Sequence, residues 1–425
     1  MNNNSVRIKR NERVRGGCMA TELSAIPAHV PASRVYDFDF LAAPELLSDP
    51  HRRMLKLHRE APEIFWTPRN GGHWIVPRAA PALEMLRRHE DFSAQPRFNR
   101  SKDRWPRTIP NQYDPPEHTE FRRILNPWFS PAAVNRRESE IRTLSVELIE
   151  RVLEQGGCEF VHDIAEHFSV TVFMRMVDAP MGDRRKLITM AERYTHSSVQ
   201  AEREAGLVEL ATYLTALLEE RRSAPGDDLV SDILRASFKG RPLEHDELIG
   251  MATLVFLGGL DTVTAMLSFI MSFLGRNLGH YQRLVDDPAF IATAVEELMR
   301  THGVAMMERG ATHALEFRGV AFEPGDRIVF MPQIYGLDDQ AVDDPERVDF
   351  DRELSSHMVF GSGPHRCIGS HLARIELKLF LEEWVKRIPS FTAVDEGPLA
   401  TSGGLVWQPV SVPLRWPVPA QEAQA

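Results

Sequence analysis

Cysteine is scarce in this chain. Its 425 residues hold three, Cys18, Cys158 and Cys367, odd in number and far apart. That excludes a disulfide framework and a cysteine-rich zinc site, and it suits a reducing compartment. A surplus of basic residues is also missing. With a net charge of −10, nucleic acid is not a general partner. Residues 1–15 are basic and Asn-rich, but no apolar core of the kind a secretory signal needs follows them, so they read as a disordered tail with Met19 as an alternative start. No Gly-x-Gly-x-x-Gly follows a strand signal and no further cysteines cluster, which leaves out a flavin site and an iron–sulfur centre.

Long apolar runs are equally rare, and the one present is informative. Residues 249–274 carry a single charge, Asp261. At about 1.5 Å per residue the run is long enough to cross a bilayer. It is solitary, however, and holds Asp, Gly, Ser and Thr near its centre, where lipid would penalise them. The better reading is a helix buried through the middle of a globular protein. Its centre is Gly258-Gly259-Leu260-Asp261-Thr262. A glycine pair inside a helix costs roughly 2 kcal/mol against alanine, so a close approach of ligand to backbone or a locally opened turn is expected there. Asp261 beside Thr262 puts a carboxylate and a hydroxyl at one bend, as a proton relay into a dry cavity requires.

The third cysteine lies in Phe360-Gly361-Ser362-Gly363-Pro364-His365-Arg366-Cys367-Ile368-Gly369. Glycine permits unusual backbone angles and close approach, and Pro364 stiffens the loop. Leu372, Ile375, Leu379 and Trp384 then recur at helical spacing until Pro389. Cys367 thus precedes a helix N-terminus, where the macrodipole favours an anion, and a thiolate is expected. A merely packed cysteine does not need three glycines, and His365 is too near in sequence to be oriented as a protease base. A single-cysteine axial ligand to haem fits better.

With His371-Leu372-Ala373-Arg374 behind it, this decapeptide resembles the haem-binding signature of the cytochrome P450 monooxygenases. Residues 36–40, Tyr-Asp-Phe-Asp-Phe, and 70–75, Asn-Gly-Gly-His-Trp-Ile, are similar to the camphor-hydroxylating bacterial branch of that family. The resemblance implies a mainly α fold with small β-sheets, in which haem b lies between the long central helix and the cysteine loop. It implies one catalytic domain over residues 28–419, between tails at 1–27 and 420–425. Cys367 becomes the axial iron ligand, with Phe360, Gly361 and Gly258 around the haem. His118 and Arg122, four apart on one helix face, become propionate ligands with Arg309 and His365. Thr262 becomes a hydrogen-bond donor toward the oxygen being activated, and Asp261 the carrier of solvent protons inward. Leu254, Leu257, Gly259, Ala305 and Trp105 become the substrate surround, and Glu297 with Arg300 a structural pair.

The activity implied is hydroxylation of a small hydrophobic substrate, possible terpenoids included, with O2 and electrons from a ferredoxin and its reductase docking near Arg122 and the cysteine loop. The protein is then a cytoplasmic monomer with no membrane or nucleic-acid partner. Two alternatives remain: a peroxide-driven peroxygenase, against which Asp261-Thr262 argues, and a non-catalytic haem or gas-sensing protein, which needs no relay. One departure bears on substrate. Where the camphor branch has a lid tyrosine that hydrogen-bonds the ketone, this chain has Pro106 after Trp105.

Pattern reading adds a helix over residues 49–60, a hairpin over 64–76 and a loop over 92–113 rich in Arg97, Arg100, Lys102, Arg104 and Arg107, which the resemblance makes the lid beside the substrate pocket. Amphipathic helices without interpretable chemistry fill 137–246. A second hairpin is expected between 315–320 and 324–329, a meander at 344–350 and a loop with strand at 402–406.

Overall fold

The computed structural model describes residues 23–95, 106–353, 357–395 and 397–418. Trp105, Arg97, Arg100, Lys102 and Arg104 lie outside them. Ser24 donates its backbone N–H to the Pro68 carbonyl at 2.9 Å, so the fold already begins within the stretch assigned to the tail.

Helices dominate. The ones that position the site are α1 (Glu117–Phe129), α2 (Glu138–Leu153), α3 (Glu166–Met176), α4 (Arg184–His196), α5 (Gln200–Ser223), α6 (His245–Leu260), α7 (Thr262–Arg276), α8 (Ile291–Thr301) and α9 (Ser370–Arg387). α9 packs along α2 and α8, and α6 lies between α3 and α5. The aromatic heart is Trp384 of α9, which is fully buried against Phe160, Phe380 and Trp416 with ring centroids 5.5–5.7 Å apart. Rings packed edge to face on Phe160 and Trp416 and stacked on Phe380 contribute both area and geometry there.

The long apolar run forms α6 and α7. Glu244 and Glu247 make a reciprocal capping box at its start, satisfying two N–H groups that a helix leaves open. Residues 245–276 are long and apolar enough to cross a bilayer, yet 78% of the most apolar window is buried within the protein. That is a core helix. It breaks at Asp261, whose φ of −124° and ψ of −40° interrupt the helical path.

The five-stranded sheet consists of β1 (Phe65–Thr67), β2 (His73–Val76), β3 (Phe92–Ser93), β4 (Met307–Ala311) and β5 (Arg327–Phe330), in the order β1-β2-β5-β4-β3. β5 runs parallel to β2 and antiparallel to β4, setting Ile328 opposite Arg309. The first expected hairpin is present. The second is tighter than expected: Leu315–Phe317 pairs with Val320–Phe322 across Arg318-Gly319, both at positive φ. Residues 327–330 leave the hairpin altogether, because their unbroken apolar face completes the larger sheet. The expected helix over 49–60 is two short helices, Pro50–Met54 and Lys56–Glu60.

The candidate haem-thiolate site

The cysteine loop is held from three sides. Gly361 sits at φ +70°, and a Cβ there would lie 3.0 Å from the Met307 sulfur on β4. Its bare Cα therefore accommodates Met307 and makes the turn. Gly363, at φ +71°, would press a Cβ within 2.4 Å of the Leu86 carbonyl oxygen, a close approach that only glycine allows. The Cys367 N–H donates to the Phe360 carbonyl at 2.9 Å, and Arg374 of α9 covers the Phe360 ring at 4.6 Å. Arg374 also pairs with Glu296, which together with His357 holds that carboxyl at about 2 against the opposing effect of burial.

Arg122, expected as a propionate ligand, engages the cysteine loop itself. From α1 it donates to the Pro364 carbonyl at 3.3 Å and to the Arg366 carbonyl, so its guanidinium clamps the backbone just before the cysteine. The planar fork spans two carbonyls because they lie along one edge of the loop.

Cys367 is exposed by surface area although protein atoms surround it closely. Burial pushes its thiol up, against the Gly369 N–H and the charges of Arg122, Arg366 and Arg374, which pull it down. The thiolate expected from the helix N-terminus is therefore not secured by the chain's own charges. A cation at the sulfur is what deprotonates such a thiol outright. Cys158, the other described cysteine, is half-buried in strand Gly157–Glu159, and burial pushes its thiol up as well.

Beside this loop lies a group of nitrogens with nothing to bond. The rings of His118 on α1 and His365 on the loop stand 4.2 Å apart, and all four of their ring nitrogens are buried without a hydrogen-bond partner. Burial, aided by the charges of Arg122 and Arg309, lowers His118 to about 4, and burial aided by Arg309 lowers His365 to about 3, so both are neutral at pH 7. Arg309 on β4 is 7% exposed, and burial pulls it down to about 10. It bonds only a neighbouring carbonyl, that of Glu308, and has no carboxylate within ion-pair distance among the described residues. Asp114 stands nearest, 3.8 Å from His365, which is beyond a hydrogen bond. Its carboxylate is already engaged by Ser93 and by the Ala94 N–H at 2.9 Å, and it is held at about 2 although burial opposes this. Unbonded buried donors of this kind cost about 1–3 kcal/mol each unless an acceptor joins them.

On the long helix the two glycines separate in function. A Cβ on Gly258 would meet nothing within 4 Å, while one on Gly259 would fall 2.2 Å from the Phe173 ring. Gly258 faces open space. Gly259 lets α3 pack onto α6. Leu254 is half-buried and Leu257 is buried, both on α6. Thr262 donates its hydroxyl to the Gly258 carbonyl at 3.1 Å, holding the opened turn. Asp261 bonds His196 at the end of α4, 3.0 Å away. That partner comes from the interval in which the sequence offers no readable chemistry, and nothing in its spacing signals it.

Ala305 bridges Val406, and Leu405 accepts from the Met306 N–H at 3.2 Å while donating its own N–H to the Thr195 carbonyl at 2.7 Å. The 402–406 loop is thus sewn between the end of α4 and the segment before β4. At the other end of the long helix, Ile109 donates to the Gly250 carbonyl at 3.1 Å, seating the end of the lid segment on α6. Glu297 and Arg300 form a fully buried bidentate pair, both bonds 2.7 Å. Arg300 also bonds the carbonyls of Gly336, Pro345 and Arg347, and Glu297 accepts from the Asp349 N–H, so α8 is stapled to the meander that precedes the cysteine loop.

The cytochrome P450 family model matches residues 289–410, from α8 through the cysteine loop to the C-terminal strands. Similarity extends well beyond that stretch. A probable cytochrome P450 127A1 of Sinorhizobium fredii is 32% identical over 402 residues, covering 92% of this chain and 97% of that protein. This chain belongs to the cytochrome P450 family. The solved structure of CYP101J2 superposes with a TM-score of 0.84 at 36% identity, over 93% of this chain and all of that one. A steroid C26-monooxygenase of Mycolicibacterium smegmatis is 30% identical over 67% of this chain and 73% of its own length.

Cytochromes P450 are monooxygenases that bind haem b through a cysteine thiolate, and the residues here fit that group. The unbonded nitrogens of His118 and His365 and the buried Arg309 are donors in want of carboxylates, which the haem propionates are. The one cation-like requirement left open, that of the Cys367 sulfur, is met by the iron.

Proposed function

We propose that this cytochrome P450 hydroxylates a compact alicyclic substrate, a small terpenoid or a molecule of similar skeleton, with electrons from a ferredoxin and its reductase. Haem held by thiolate supplies the oxidising chemistry that places one atom of O2 into an unactivated C–H bond. Cys367 is the axial ligand. His118, His365 and Arg309 hold the propionates, and Arg122 fixes the loop that carries the cysteine. Thr262 holds a hydroxyl proton at the opened turn, and Asp261 exchanges its proton with His196 on the outer side and with Thr262 on the inner. Leu254, Leu257 and Ala305 exclude water from above the reacting carbon and offer only aliphatic contact, which suits a rigid hydrocarbon skeleton. Pro106 leaves no hydroxyl for a ketone at that lid position. Exposed Arg366 and Arg123 near the clamp favour an acidic redox partner. The buried core helix and the three widely spaced cysteines suit a soluble, cytoplasmic protein.

The observation that carries this reading is the set of buried, unbonded donors beside the cysteine loop. Its test compares product formed per electron consumed with a ferredoxin, reductase and NADH against product formed with peroxide alone. A panel of compact terpenoids and steroids is chosen first by displacement of iron-bound water in the absorption spectrum. Faster, better coupled turnover with the ferredoxin is expected. Turnover driven faster by peroxide would overturn the assignment in favour of a peroxygenase.

A further inference from the structure

We infer that Glu296, Arg374 and His357 form a counter-charge set that holds one guanidinium against the cysteine loop and so fixes how readily the haem bound at Cys367 takes up an electron. The inference rests on the reading of Cys367 as the axial ligand. It makes these three positioning residues, which act through the loop.

Two adjacent acids on α8 serve two different elements. Glu297 turns into the core, where Arg300 and Arg352 bond it and tie down the meander. Glu296 reaches α9 instead. The Nε and Nη2 of Arg374 both donate to its carboxylate, the second at 3.0 Å, in the forked geometry that suits a guanidinium to a carboxylate. His357 Nε2 lies 3.0 Å from the same carboxylate, and its side chain, 3% exposed, closes the pair on that side. Its other ring nitrogen is buried without a partner, so Glu296 takes the one hydrogen bond this ring makes among the described residues. Beyond the pair, the Arg374 guanidinium covers the Phe360 ring at 4.6 Å, and its Nη1 donates to the Ser370 carbonyl at 3.1 Å. Phe360 accepts the Cys367 N–H at 2.9 Å. Phe360 and Ser370 stand before and after the cysteine, so one guanidinium grips the loop at both ends.

Charge decides what the grip does. Three arginines, Arg122, Arg366 and Arg374, bear on the Cys367 sulfur, and they differ in their partners. Arg122 bonds backbone carbonyls, and Arg366 is exposed without an ion pair among the described residues. Arg374 alone has a carboxylate in contact. Burial opposes ionisation of that carboxyl, yet His357 and Arg374 hold it at about 2, so it is charged at neutral pH. The pair is neutral as a whole. Without Glu296 an uncovered positive charge beside the loop would favour the electron-richer, reduced haem, and without Arg374 an uncovered negative charge would oppose reduction.

The test is a spectroelectrochemical titration of the holoenzyme with no redox partner present, so that docking does not enter. The reduced, CO-bound spectrum and the melting temperature of the haem-free chain are taken beside it. Glu296→Gln should raise the reduction equilibrium constant about tenfold, which is about 59 mV for a one-electron couple. Arg374→Gln should lower it by a like factor. The double variant is neutral again and should return to the wild-type potential, and Arg374→Lys, which keeps the charge, should stay near it. Both single variants should lower the melting temperature of the haem-free chain, because each loosens the same loop. Loosening alone would shift both potentials in one direction and add in the double variant. That result, or potentials unchanged throughout, would overturn the inference while the red-shifted CO band keeps Cys367 as the ligand. Absence of that band from the wild type would remove Cys367 as the ligand, and the inference with it.

Discussion

His118 and His365, 247 positions apart in the chain, stack with ring centroids 4.2 Å apart and planes inclined by 48°, and neither ring makes a hydrogen bond. Burial keeps both neutral, so each presents one N–H and one lone pair to the same small volume, beside a guanidinium that has no carboxylate partner among the described residues. Folding alone gains nothing from such a group. Its cost is recovered only when an anionic ligand accepts the bonds.

Replacing Arg309 should therefore have opposite effects in the two forms of the protein. Arg309→Met removes a buried, unpaired charge, so the haem-free chain should melt at the same or a higher temperature. Haem affinity should fall by about 30-fold, the equivalent of one charged hydrogen bond of about 2 kcal/mol. Thermal denaturation of the haem-free protein and transfer of haem to an excess of apomyoglobin measure the two. A loss of stability without haem, and unchanged retention, would place the arginine in the fold rather than at the ligand.

The adjacent glycines of the long helix should behave differently. Gly259→Ala drives a methyl into the Phe173 ring and should destabilise by about 1–3 kcal/mol. Gly258→Ala meets open space and gains helix propensity, up to about 1 kcal/mol. Its methyl should nonetheless alter the ligand-induced absorption change. Paired thermal unfolding and substrate titration check both, and equal destabilisation by the two would contradict the assigned faces.

Glu376 on α9 is buried, has no ion-pair partner among the described residues, and is pushed up to about 8 by burial. Its sign follows from proton counting. Between the ordinary carboxylate range and pH 8 the unfolded chain has released this proton while the folded one keeps it, so stability from this group falls as pH rises through that window. Glu376→Gln should flatten the slope of stability against pH between about 5 and 8 and raise stability at the alkaline end. Urea unfolding at several pH values reads this directly. A slope unaltered by the substitution would mean that the carboxylate is ionised in the folded protein.

Much of this was legible in the residue string, and the parts that were not share a cause. The loop from 360 to 369, the helix 370–387 and the break at Asp261-Thr262 are local patterns, in which neighbours along the chain decide the geometry. Long-range partners are not written locally. Arg122 reads as one more basic residue on a helix face, and only the folded chain brings it to the carbonyls of Pro364 and Arg366. Gly259 and Gly258 are indistinguishable in sequence, and the ring of Phe173 decides between them. His196 lies in amphipathic helices that look featureless because their periodicity is satisfied. Its pairing with Asp261 depends on how α4 meets the end of α6. Likewise, residues 327–330 suit either a hairpin or a larger sheet, and the free edge of β2 wins.

The central claim, that Cys367 binds haem iron as a thiolate, is tested most directly by the absorption spectrum of the reduced, CO-bound protein. The wild type should show the strongly red-shifted Soret band that thiolate ligation produces, and Cys367→His should lose that shift while retaining haem through His118, His365 and Arg309. A wild-type band at the position given by a neutral histidine ligand, or a red-shifted band surviving in Cys367→His, would contradict it.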